Sequence, residues 1–224
     1  MLIQGLVGAP AAATTGTTPT VRVGQLGDMI ISELHGRFYE QTYRGNVYQT
    51  GHIAPIALSA NTITTSATTT PIIGVWNPLS SGVNLVILQA SLQNIINTVT
   101  TPVGPGAFVW AISNGNAAIS TGLLPINTRT LYPTGSQAKA FAGATALTGL
   151  TNVLTIVAAA TIPTLGNITY GTIAATATSP SVGGVQNFDG SLIIPPGSVL
   201  SLLNTTSTTT VSVFGSLLWE EVAV

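Results

Sequence analysis

The chain has 224 residues, a formal net charge of -1 and only 5% charged residues, where an ordinary soluble domain carries about 25%. Five Lys and Arg in total are too few to neutralise a run of phosphates, which argues against nucleic acid as a partner. The absence of cysteine excludes disulfides, thiol catalysis and Cys-zinc sites.

Thr, Ser, Asn and Gly replace the missing charge. They keep a surface wet, and Thr also suits a pleated sheet through its β-branch. A net charge so close to zero favours association, so much of the surface is expected to meet other subunits.

In chain order, residues 1–20 read as a leader. "APAAATTGTTPT" has no periodicity and is punctuated by Gly and Pro, so it is expected to order only against a partner. It lacks the basic n-region of a secretory signal. Residues 21–52 are chemically different. They hold Arg22, Asp28, Glu33, Arg37, Glu40 and Arg44, six of the eleven charged residues in the chain.

Two conformations compete over this stretch. In a helix, Asp28 caps the N-terminus, Ile30, Leu34 and Phe38 form an apolar row, and Glu33–Arg37 and Glu40–Arg44 are i,i+4 pairs. Gly36 costs such a helix about 1 kcal/mol, more than one pair contributes. In the extended form "DMIISEL" is a strand, Gly36 a bend and "RFYEQTYRGNVY" an aromatic-rich strand. The balance favours a mixed or extended form.

From residue 53 onward the pattern is β. "GVNLVILQASLQ" (82–93) is apolar at both alternating sets of positions, as in a strand covered on both faces. "AFVWAIS" and "NVLTIVAAATI" behave alike, and the latter is too short and interrupted to span a bilayer. "GSQAKAFAGATALTG" (135–149) reads as a helix or ordered loop. "SLIIPPGSVLSLL" reads as two strands joined by a Pro-Pro-Gly turn. In "TTTVSVFGSLLWEE", Val211, Val213, Leu217 and Trp219 share one face, and Gly215 marks a bulge or close approach. Eight to ten short strands between turn clusters such as "WNPLSSG" and "SNGN" predict an all-β sandwich or barrel.

Motifs for chemistry are nearly absent. His35 and His52 lack metal-ligand spacing, and no metal or cofactor is expected. No GxSxG, GxGxxG or GxxxxGK[ST] occurs. Ser136 and Lys139 match S-x-x-K without its companion motifs, a pattern that arises easily by chance. Glu220 and Glu221 are adjacent, so on a strand they point to opposite faces. No enzymatic activity is expected.

The charged, aromatic front segment remains. Tyr and Arg are enriched at interfaces, and this chain has few other ionic groups for specific recognition. Arg22, Asp28, Glu33, Arg37, Phe38, Tyr39, Glu40, Tyr43 and Arg44 are therefore the expected partner-binding residues.

"GDMIISELHGRFYEQTYRGNVYQTG" and the terminal "GSLLWEE" resemble segments of bacteriophage virion structural proteins, of the capsid decoration or cement type. "GVWNPLSSGVNLVIL" adds a weaker likeness. The resemblance implies a jelly-roll β-sandwich, a homotrimer or other homo-oligomer, placed on the capsid surface over junctions between major capsid proteins. It transfers no catalytic residues. The expected organisation is thus an anchoring arm over 1–52 and a jelly-roll-like sandwich over 53–224. The expected function is to stabilise a capsid by bridging its subunits, with no membrane involvement. The rival reading is a tail-associated receptor- or glycan-binding module, with Trp76, Trp110, Tyr132 and Tyr170 as surface aromatics for sugar rings.

Overall fold

The computed structural model describes residues 5–6, 21–22, 38–58, 71–96, 108–115, 122–133, 135–142, 155–159, 182–204 and 208–224. The chain divides into two compact units, Met1–Glu40 and Gln41–Val224. In the first, β1 (Gly5–Leu6) and β2 (Val21–Arg22) form a short parallel pair. A six-residue helix, α1 (Tyr39–Arg44), leads into the second.

Beyond α1, the described part of the second unit is all-β. Its strands are β3 (Val47–Gly51), β4 (Ile56–Leu58), β5 (Ile73–Asn77), β6 (Val83–Ile96), β7 (Phe108–Asn114) and β8 (Gly122–Leu123). There follow β9 (Ile126–Asn127), β10 (Lys139–Ala142), β11 (Thr155–Ala159), β12 (Val182–Ile194), β13 (Ser198–Asn204) and β14 (Thr208–Ala223). They make two antiparallel sheets, one in the order β11-β7-β13-β5-β10-β8, the other β12-β6-β14-β3-β9, with β4 also on β14.

One hydrophobic core joins the sheets. Val75, Trp110, Leu200 and Leu202 come from the first sheet, and Leu85, Ile87, Leu217 and Trp219 from the second. Trp110 meets Phe188 edge-on at 5.5 Å and donates from Nε1 to Gln186 Oε1 at 3.0 Å. The first sheet is apolar on its other face too, where Val109, Ala111, Phe141, Val199 and Leu203 are buried together. Strand β7 is therefore covered on both faces, as its composition requires.

Strand β6 has a different reason for its double pattern. Leu218 pairs with Gln89 and Trp219 with Ile87, so Leu88 is an extra residue. Such a bulge reverses which alternate positions face inward. Leu85 and Ile87 point into the core before it, and Ala90 and Leu92 after it. Both apolar sets thus serve largely one face.

Close approaches fix the layers. At Gly74 a Cβ would lie 2.4 Å from Phe141 Cζ and 2.5 Å from the Leu200 carbonyl oxygen, so the Phe141 ring occupies the space a side chain would need. On β14, Val213, Leu217 and Trp219 face inward as their spacing predicts. A Cβ on Gly215 would come within 3.2 Å of Ile73, so this glycine marks close approach of the two sheets.

Buried polar bonds tie the layers as well. Asn77 Nδ2 donates to the carbonyls of Val83 and Ile194 at 2.7 and 2.9 Å, linking β5 to the opposite sheet. His52 donates from Nε2 to the Ile72 carbonyl at 2.8 Å and accepts the Gly215 N–H on Nδ1 at 3.0 Å. The ring must be neutral to do both, and burial holds its pKa below the usual histidine value.

Several expectations change. The compact unit begins at Gln41 and not at residue 53, because β3 pairs with β14 on one side and β9 on the other. Residues 39–44 are helical, so "RFYEQTYRGNVY" is not one strand; Gly45, at φ +83°, ends the helix before β3 begins. Residues 23–37, with Gly36 and the row Ile30 and Leu34, lie outside the described residues. In 135–149, residues 139–142 form β10 and no described residue is helical.

Candidate interaction surface

The described part of the second unit exposes one group of large side chains beside the β9 edge. Tyr43 on α1 is 59% exposed, and Leu131 and Tyr132, in the loop after β9, are 70% and 68% exposed. The Arg129 guanidinium lies over the Tyr43 ring, 5.1 Å from its centroid. This cation–π contact contributes about 0.5–1 kcal/mol at an exposed position. It brings the next charged residue after Arg44 in sequence, eighty-five positions on, back beside the helix.

Asn127 builds this surface. It is buried, and its Nδ2 donates to the Gly45 carbonyl at 2.7 Å, holding the end of α1. Its Oδ1 accepts the N–H groups of Arg129 and Thr130 at 3.0 and 3.3 Å, the local turn that Asn side chains favour. Thr128 adds bonds from its N–H and hydroxyl to the Val47 carbonyl, both 3.0 Å. The loop then closes through Leu131 N–H to Asn127 O at 2.8 Å and Asn127 N–H to Tyr132 O at 3.0 Å.

Closure forces Leu131 to φ +60°. An L-residue other than Gly, Asn or Asp is strained there by roughly 1–2 kcal/mol. A leucine held in that state with its side chain exposed is a conformation the surrounding bonds over-determine.

A second polar constellation surrounds Glu221. Its side chain is buried. Oε1 accepts from Ser136 Oγ at 2.6 Å, from Ala138 N–H at 3.3 Å and from Trp219 Nε1 at 3.3 Å, and Gln137 N–H lies 3.1 and 3.0 Å from its two oxygens. The carboxylate thereby pins the 135–138 loop to β14. The Ser136 hydroxyl is spent on this bond, and Lys139 lies at the start of β10 with its side chain exposed. Glu220, one residue away, is only half-buried, and burial raises its pKa. The two carboxylates do point to different surroundings.

Ser136 and Lys139 also line an open cleft of about 450 Å³ with Trp76, Leu123, Pro125 and Pro133. Of the aromatics in the glycan reading, Trp110 is core, 1% exposed, which removes it as a stacking surface. Trp76 borders the cleft, Tyr132 is exposed on the β9 loop, and Tyr170 lies outside the described residues. Asn204, which opens the glycosylation-type triplet Asn-Thr-Thr, is fully buried. Among the described residues no three His, Asp or Glu side chains group as metal ligands, and no helix is long and apolar enough to cross a membrane.

The structure distributes the expected partner-binding residues as follows. Arg22 sits in β2 of the first unit. Asp28, Glu33 and Arg37 lie outside the described residues. Phe38, half-buried, immediately precedes α1, which carries Tyr39, Glu40, Tyr43 and Arg44. Of these, Tyr39, Tyr43 and Arg44 are exposed.

Arg129 and Leu131 were not among the expected partner-binding residues, and Tyr132 entered only the glycan reading. The available signal was local: "NTRTLYPTG" combines turn-forming Asn, Thr, Pro and Gly with an isolated Arg and Tyr. Compared with protein-family models, curated proteins and solved structures, the chain matches none.

Proposed function

We propose that this chain is a structural protein of a phage particle, a jelly-roll module that stabilises the capsid by bridging neighbouring major capsid subunits. The observation that carries the reading is strand order. Taken in chain order, β3, β5, β6, β7, β11, β12, β13 and β14 are eight principal strands. Numbered one to eight, they fall in the order 6-3-8-1 in one sheet and 5-4-7-2 in the other. This interleaving supports a double-sheet jelly roll, an architecture of viral capsid and lectin domains.

Composition favours the capsid use. A surface so poor in charge is suited to packing against copies and shell subunits without assembling like charges. The exposed Tyr43, Arg129, Leu131 and Tyr132 supply aromatic, cationic and apolar contacts of the kind that dominate interfaces. The role is non-catalytic: each bridging copy adds a contact that must break before the shell opens. The first unit and α1 act as the anchor to the shell.

Add-back to particles stripped of the chain tests this. The full chain is expected to bind saturably and to raise the temperature at which the shell releases its contents. A chain lacking residues 1–40 is expected to fold and to bind poorly. Saturable binding to a glycan array with no affinity for shells would instead establish the tail-module reading.

A further inference from the structure

We infer that copies of this chain associate head to tail, the β9 edge of one copy docking on the β12 edge of the next, with Arg129 set against Asp189. The inference rests on the proposed structural role for why copies meet, and it names the surfaces by which they do.

The two edges are the opposite ends of one sheet, in the order β12-β6-β14-β3-β9 among the described strands. Their charges are opposite. Within Gln41–Val224 the acids are Asp189, Glu220 and Glu221. Glu221 is buried and Glu220 half-buried, which leaves Asp189 on β12 as the exposed one. Of the three cations in this unit, Arg44, Arg129 and Lys139, Arg129 lies in the loop after β9. Arg44 adjoins Gly45, which Asn127 of β9 holds. Each edge also displays apolar side chains: Val185 and Ile193, 58% and 52% exposed, on β12, and Tyr43, Leu131 and Tyr132 beside β9. Charge and apolar area thus match across the two edges.

Left-handed backbone marks the same two places. Among the described residues, only Leu131 and Asp189 have positive φ without being glycine, at +60° and +52°. Asp189 lies mid-way along β12, and Leu131 lies in the loop after β9. At Leu131 this is strain, which concentrates at sites shaped for function; Asp adopts such a φ without it.

The form of the β12 edge is consistent with selective docking. Natural edge strands are usually guarded by Lys, Pro or short length. This one runs thirteen residues, Val182–Ile194, with neither. Its one guard is the irregularity between Asn187 and Leu192, which carries Asp189. A bulge bearing an acid rejects an arbitrary strand and accepts a surface that brings a cation to it.

The arrangement also selects the symmetry. A twofold contact at either edge would bring two like-charged edges together. Head-to-tail contact pairs unlike charges and builds a ring where the rotation closes.

Sedimentation velocity on the full chain, at concentrations up to about 100 µM, tests the contact. The wild-type chain is expected to assemble, less so at high salt. Arg129→Glu and Asp189→Lys are each expected to weaken assembly by about tenfold or more. The double swap in one chain is expected to restore it. Asp189→Asn, which tolerates the same φ, checks that Asp189→Lys acts through charge, and Lys139→Glu is expected to leave the mass unchanged. Circular dichroism confirms that each variant is folded. A monomeric wild type, single variants with wild-type mass, or a double swap that stays dissociated would overturn the inference. A monomer that still saturates stripped shells would remove this contact alone; assemblies with no affinity for shells would remove the proposed function alone.

Discussion

Replacing Glu221 by Gln preserves the shape of a buried side chain and changes only what it offers its neighbours. The carboxylate accepts from the Ser136 hydroxyl, two backbone N–H groups and the Trp219 indole, at 2.6–3.3 Å. With its oxygen in the Oε1 place a glutamine keeps weaker, uncharged versions of the bonds from Ser136, Ala138 and Trp219, and turns an NH2 toward the Gln137 N–H, which cannot accept it. Hydrogen bonds to a charged group contribute about 1.5–3 kcal/mol, and a buried donor left unpaired costs about 1–3 kcal/mol. Partial rearrangement of the 135–138 loop recovers some of this, so a net loss of about 2–3 kcal/mol is expected. At roughly 2–4 °C per kcal/mol for a chain of this size, Tm falls by about 4–12 °C. Calorimetry at one fixed protein concentration is the assay, because Tm depends on concentration for any chain that self-associates. Glu220→Gln is the internal control: its carboxyl is destabilised by burial, so losing the charge is expected to leave stability unchanged or slightly higher. Equal Tm values for Glu221→Gln and the wild type would refute the view that this carboxylate pins the loop.

Three further outcomes follow from the same packing. His52 is neutral in the fold with a lowered pKa, while the unfolded chain takes up its proton near pH 6.5. The unfolded state therefore binds more protons below that pH, and this histidine's contribution declines as pH falls from about 6.5 toward the folded value. Urea unfolding should show the stability gap between wild type and His52→Asn narrowing from pH 7.5 to 5; a constant gap would contradict the neutral bridge. Gly74→Ala places a methyl group against Phe141 and the Leu200 carbonyl, and because backbone cannot yield cheaply it is expected to cost about 1–3 kcal/mol or more; wild-type stability would show that the approach is looser. Leu131→Gly relieves a positive φ and is expected to keep or raise stability while weakening self-association, two readouts that a core residue would move together.

The β character of the second unit was legible because strands announce themselves locally. Val213, Leu217 and Trp219 alternate, and the Pro195-Pro196-Gly197 turn sits between two apolar runs, where Gly197 does adopt φ +79°. What was illegible depends on residues distant in sequence. The bulge at Leu88 is defined by which residues of β14 and β12 lie opposite, and periodicity alone cannot separate it from a strand covered on both faces. The membership of β3 in the sheet depends on β14, about 170 residues later. The candidate surface was half legible: Tyr43 and Arg44 stood out as charge and aromatic in one segment, but Arg129 comes over Tyr43 through a loop that the Asn127 bonds hold against Gly45.

Contact with a shell and with its own copies is the proposed state of this charge-poor, two-sheet module. Cryo-electron microscopy of particles carrying the chain, at side-chain resolution, addresses that directly. The expected image shows the module repeated over equivalent junctions of the capsid lattice, with the loop bearing Arg129 packed against neighbouring protein. A particle surface without the module, or a module held there with Tyr43, Arg129, Leu131 and Tyr132 facing open solvent, would contradict it.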